Sequence, residues 1–87
     1  MSVYLITYDL QDSQYEDAVL EYIKKGSYVY LVDSSYAVNW SKAAAQISED
    51  IQRIANNKIH VYVLSISRPY SGYGPKAAND WLAQNLP

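Results

Sequence analysis

Val3-Tyr4-Leu5-Ile6-Thr7-Tyr8 runs without a Gly or Pro straight into Asp9. Its β-branched and aromatic residues make it a β-strand, and the carboxylate stands at the strand's C-terminal edge. A rigid strand end is a place from which a side chain can be aimed at a ligand, so Asp9 is a candidate functional residue. The plainer alternative is a solvated Asp that starts the turn Asp9-Leu10-Gln11-Asp12.

The elements that follow narrow the fold. Ser13 and Glu16 have the spacing of a capping box, and Asp17 adds negative charge to the first turn. Tyr15, Val19, Tyr22 and Ile23 then share a helix face, with Lys24, Lys25 and Gly26 as the terminating group. Tyr28–Val32 and Tyr36–Val38 read as a hairpin around Asp33-Ser34-Ser35. Ser41 is a plausible N-cap for a second helix whose stripe is Ala44, Ile47, Ile51 and Ile54, ended by Asn56-Asn57. Ile59–Ile66 is a fourth strand. After the loop Ser67–Gly74, Pro75 opens a short last helix with Ala78, Trp81 and Leu82 on one face. The order β-α-β-β-α-β plus a helix predicts one α+β domain over residues 1–87, the ferredoxin-like arrangement.

Composition excludes several chemistries. The 87 residues include no Cys, so disulfides and thiolate sites are absent, and a reducing cytoplasm is the expected location. No segment resembles a signal peptide, and no apolar run approaches the ~20 residues that span a bilayer, so no membrane partner is expected. Seven Lys plus Arg face nine Asp plus Glu, a net charge of −2. That balance disfavours nucleic acid as a partner, since phosphate backbones are gripped by clustered cations. Lys24, Lys25, Lys58 and Arg68 are the residues from which a basic patch would have to be gathered. His60 is the sole histidine and cannot make an ordinary zinc site. Ser34 and Ser35 have no His-Asp partner nearby in sequence. Gly72-Tyr73-Gly74-Pro75 lacks the spacing of a phosphate loop. Arg68 with Tyr70 and Tyr73 is a possible ligand loop, pairing a cation with aromatic rings.

Ten tyrosines and two tryptophans occur with no phenylalanine. Alternation along the strands places Val3, Leu5, Val29, Leu31, Val61 and Val63 on one face as a floor for the helices. The opposite face then carries Tyr4, Tyr8, Tyr28, Tyr30, Tyr36 and Tyr62 with Ile6, Val38, Leu64 and Ile66. An apolar face of that size marks an interaction site, and a homodimer interface over those six tyrosines is the leading expectation. Cover by the C-terminal helix and loop, or base stacking as on RNA-recognition sheets, are the alternatives.

Val3-Tyr4-Leu5-Ile6-Thr7-Tyr8-Asp9-Leu10, Val32-Asp33-Ser34-Ser35-Tyr36-Ala37-Val38 and Asp80-Trp81-Leu82 together resemble the SinR-like branch of the CRISPR-associated Cas-two superfamily. The resemblance implies a ferredoxin-like protomer forming a two-fold dimer, in phage, mobile-element or defence biology. In the metal-dependent nucleases of that superfamily, the Asp ending the first strand contributes to a divalent-metal site near the two-fold. The matching position is Asp9, with Mg2+ as the implied ion and two subunits completing the site. Ser35 matches the Ser of the family's motif between the second and third strands. With an acidic chain, the expected role is a non-catalytic interaction or regulatory module. The alternatives are a Mg2+-dependent nuclease using Asp9 from both subunits and an RNA-recognition-like binder.

Overall fold

The computed structural model describes residues 2–87 and measures 34 × 24 × 18 Å. Its elements are β1 (Ser2–Leu10), a 3-10 turn (Ser13–Tyr15), α1 (Glu16–Ile23), β2 (Ser27–Val32), β3 (Ser35–Trp40), α2 (Ala44–Ile54), β4 (Ile59–Ser65) and α3 (Lys76–Asn85). The strands form one antiparallel sheet in the order β2-β3-β1-β4, so β2 and β4 are its edges. The domain is therefore α+β, with a four-stranded antiparallel sheet and three α-helices.

Local chemistry explains the boundaries. Asp12, rather than Ser13, caps the entry to the first helical segment by accepting from the Gln14 amide at 3.1 Å. Asn56 and Asn57 end the turn after α2 with φ of 52° and 63°, the left-handed region asparagine tolerates. Gly26 has no such backbone role. A Cβ there would stand 3.3 Å from the Trp40 ring, so glycine lets the ring approach without having to give way. Ser41 does not cap α2. Ala43 occupies the N-cap position without a side-chain bond.

The expected sorting of the sheet faces is reversed. Tyr4, Ile6, Tyr8 and Val38 lie in the main core with Val19, Tyr22 and Ile23 of α1 and Ile47 and Ile51 of α2. The aliphatic face holds Val3 and Ala37, packed on Leu82 and Leu86 at the C-terminal end of the chain, with Val29, Leu31, Ile66 and Trp81 around them. The third helix thus covers part of the second face. Trp81 Nε1 donates to Ser27 Oγ at 3.2 Å, and Asn39 Nδ2 donates to Asn85 Oδ1 at 3.0 Å, fixing α3 over the β2–β3 side.

The phase of β4 also differs from the expectation. Leu5 is opposite Leu64 and Ile6 is opposite Val63, so Val61 and Val63 join the α1/α2 side while Tyr62 and Leu64 face the other way. Tyr4, Tyr8 and Tyr36 sit on the helix-covered side, with Tyr4 and Tyr8 each 7% exposed. Tyr28 and Tyr30 share that side on the edge strand, and Tyr62 is alone on the opposite face. The six tyrosines therefore do not make one dimer surface, which corrects that expectation. The physical reason is that alternation orders residues within a strand, while only pairing register relates one strand's phase to the next.

Burying tyrosines beneath helices is feasible where the hydroxyl keeps a partner. Tyr4 Oη donates to the Lys42 carbonyl at 2.8 Å and Tyr22 Oη to Asp50 Oδ2 at 2.6 Å. Each ring contributes apolar area while its hydroxyl keeps a partner. Burial, with Glu16 and the Tyr36 hydroxyl nearby, pushes the Tyr8 phenol up to about 12, opposed by a bond with Ser34.

Candidate functional site

α3 leaves the β1–β4 half of the second face uncovered, and this is where the chain presents chemistry to its surroundings. Leu5, Thr7 and Asp9 alternate onto it from β1, opposite Leu64, Tyr62 and His60 of β4. Tyr62 is 69% exposed and Leu64 48%. At the β3 side, Ser35 and Thr7 hydroxyls lie 2.9 Å apart. The face therefore grades from apolar, at Leu5 and Leu64, to polar, at Thr7, Ser35, Asp9 and His60.

Asp9 is exposed at the end of β1, paired in register with His60, whose Nε2 lies 3.2 Å from Gln11 Nε2. No group of three or more His, Cys, Asp or Glu side chains able to hold a metal occurs among the described residues. Mg2+ demands near-octahedral oxygen coordination, and a lone carboxylate beside an imidazole does not supply the protein part of such a shell. Within one chain, the residues around Asp9 do not fit the implied ion.

The ligand-loop candidates separate. Arg68 does not face a ligand: Nε donates to the Leu86 carbonyl at 3.1 Å and Nη2 to the Ala83 carbonyl, while its backbone amide reaches the Pro87 carbonyl at 2.9 Å. A guanidinium on the last carbonyls of a helix satisfies orphan acceptors and suits the dipole. Arg68 is thus the clasp of α3. Tyr70 lines an apolar groove of about 360 Å³ between this loop, α3, the sheet residues Leu5 and Leu31, and Ile66 just after β4. Tyr73 borders the same groove and is fully exposed. The remaining basic-patch candidates are not free as a set either, since Lys58 Nζ lies 3.9 Å from Asp12 Oδ2.

A polar cluster that the sequence did not single out lies on the helix side. Asp50 accepts from Tyr22 at 2.6 Å, Gln46 at 2.7 Å, Lys42 at 3.3 Å and Arg53 at 3.3 Å. The Tyr22 hydroxyl, with Gln46 and Lys42, holds its carboxyl at about 2 against the opposing effect of burial. The Lys42 ammonium also stands 5.0 Å from the Tyr22 and Trp40 ring centroids. The four donors to Asp50 come from α1, α2 and the β3–α2 connection, so the cluster braces the two helices. Gln46, Asp50 and Arg53 lie on one side of α2, which was a legible signal.

No helix among the described residues is long and apolar enough to cross a membrane. Comparison of the chain with family models, with curated proteins and with solved structures finds no match.

Proposed function

We propose that this chain is a self-associating interaction or regulatory module of the Cas-two-like, SinR type, built on a ferredoxin-like protomer. The fold reading is supported by the β-α-β-β-α-β order and the antiparallel sheet order β2-β3-β1-β4. The observation that carries the functional reading is the half-open sheet face. Tyr62 and Leu64 stand on it at 69% and 48% exposure, beside Leu5 and next to a sheet edge. Large apolar side chains grouped beside a free edge are what a protein-association surface requires. A second copy is the proposed occupant, meeting this chain along the β4 margin of that half-open face.

The tyrosines beneath the helices have no part in this contact. Nor does the reading need catalysis, because Asp9 contributes one carboxylate to a surface rather than to a formed site. Sedimentation velocity of the purified chain tests it. A dimer at tens of micromolar, weakened by Leu64→Glu, is the expected result. A monomer at that concentration would refute the reading.

A further inference from the structure

The two edges of the sheet are built differently. β2 carries an irregularity between Tyr30 and Val32, and α3 lies against it. Bulges and covering elements are devices that stop an edge from pairing with another chain. β4 pairs with β1 in unbroken register, and α2 packs against it from the core side. Ile59-His60-Val61-Tyr62-Val63-Leu64-Ser65 contains no Pro, Gly, Lys, Arg, Asp or Glu. A hollow of about 270 Å³ lies beside it, bounded by Gln52 of α2 and by Ile59, His60, Val61 and Tyr62.

The hydrogen-bond phase of this edge follows from its flanks. Ile66 N donates to Val3 O and Gln11 N to Lys58 O, each at 3.0 Å. Bonded and non-bonded pairs alternate along an antiparallel ladder. Even-numbered residues of β4 therefore direct their amides and carbonyls to β1. Val61 and Val63, with Ile59 and Ser65, direct theirs outward.

We propose that a second copy of this chain adds to that edge, antiparallel about a two-fold axis through Tyr62, doubling the four-stranded sheet. This rests on the self-association reading above and names its geometry. Tyr62 is the midpoint of Ile59–Ser65, so this register uses the whole strand. It sets Val61 opposite Val63 of the partner subunit as a bonded pair on the helix side. Tyr62 then meets its own copy as a non-bonded pair, where side chains approach most closely. His60 falls opposite Leu64, and no like charges meet across the seam. An edge of seven residues is about 24 Å long. A single strand edge of that length makes a small contact beside the ~1,200–2,000 Å² of specific interfaces, so the dimer is expected to be concentration-dependent.

The chain has no cysteine, so a single introduced thiol reports proximity without background. Non-bonded partners have Cα atoms about 4.5 Å apart, within disulfide reach. Mild oxidation of Tyr62→Cys should give a covalent dimer, while Tyr73→Cys in the exposed loop stays largely uncrosslinked. Hydrogen exchange on the wild type needs no variant. The Val61 and Val63 amides should exchange about tenfold or more slower at dimer-forming concentration than when dilute. Val63→Pro removes an outward donor that the subunit itself does not use. It should raise the dimer dissociation constant roughly tenfold. A wild-type dimer without the Tyr62 crosslink and with unprotected Val61 and Val63 amides would overturn edge pairing alone. A wild-type monomer at tens of micromolar would overturn both this proposal and the reading beneath it.

Discussion

The two faces of this sheet are both apolar in sequence, yet they end differently. On one, Ile6 and Val38 are fully buried and Tyr4 and Tyr8 nearly so. On the other, Val3 and Ala37 are buried under α3 while Tyr62 and Leu64 stay exposed. Two helices cross the first face, and one helix, clasped at its end by Arg68, covers only half of the second. Side-chain type therefore does not decide which face is covered. The number of helices that return over it does.

This difference is largest in folding stability. Ile6→Ala removes a fully buried side chain from beneath α1 and α2 and should cost about 2–5 kcal/mol. Leu64→Ala on the open face should fall within about 0.5 kcal/mol for the subunit. Urea denaturation at low concentration, where association contributes nothing, compares the two. A similar cost for both would mean that the second face is covered more fully than its exposure indicates.

Next in size is the brace between α1 and α2. Tyr22→Phe removes a hydrogen bond to a carboxylate and should cost about 1.5–3 kcal/mol. The sign with pH follows from the lowered carboxyl. Asp50 titrates at about 2 in the folded chain against an ordinary value of 3.8. Its stabilising effect is therefore full above about 4 and is lost as pH falls towards 2. In Tyr22→Phe the acid transition should move to higher pH. At the alkaline end the signs reverse for Tyr8, raised from 10.0 to about 12. Its neutral phenol stabilises the fold below pH 10, and that contribution disappears as pH rises through about 12. Thermal melts across pH 2–12 read both limbs.

How much of this was legible follows from the same contrast. The element order, the strand Val3–Asp9, the stripe Ala44-Ile47-Ile51-Ile54 and the Asn56-Asn57 terminator depend on local periodicity and backbone preference, and all are present. The assignment of faces depends on register between strands distant in sequence, such as Tyr4 opposite Ser65. Nothing local encodes that sum. Tyrosine chemistry does not settle the matter either, since the ring suits a core as well as a surface when its hydroxyl finds a partner, as Tyr4 and Tyr22 do. Arg68 beside Tyr70 and Tyr73 is only a possible ligand loop in sequence, and its donors belong to the end of a helix eighteen residues on. The uncharged edge from Ile59 to Ser65 was readable all along, but its meaning depended on knowing that β4 is an edge.

The smallest effect expected concerns Asp9, and it sharpens the polar end of the open face. Asp9 is exposed, and its register partner His60 is exposed too. Asp9→Asn should therefore leave subunit stability within about 0.5 kcal/mol, a melting shift of no more than about 4 °C. Millimolar Mg2+ should shift the wild-type melt by less still, because no cluster of three metal-ligating side chains occurs among the described residues. The edge-paired dimer sets Tyr62, not Asp9, at the two-fold, so dimerisation should not create a Mg2+ response. A Mg2+-dependent stabilisation that appears only at dimer-forming concentration and vanishes in Asp9→Asn would show that two copies bring their Asp9 carboxylates together. That result would move the two-fold from the β4 edge onto the sheet face and restore a metal-dependent nuclease as the reading to test.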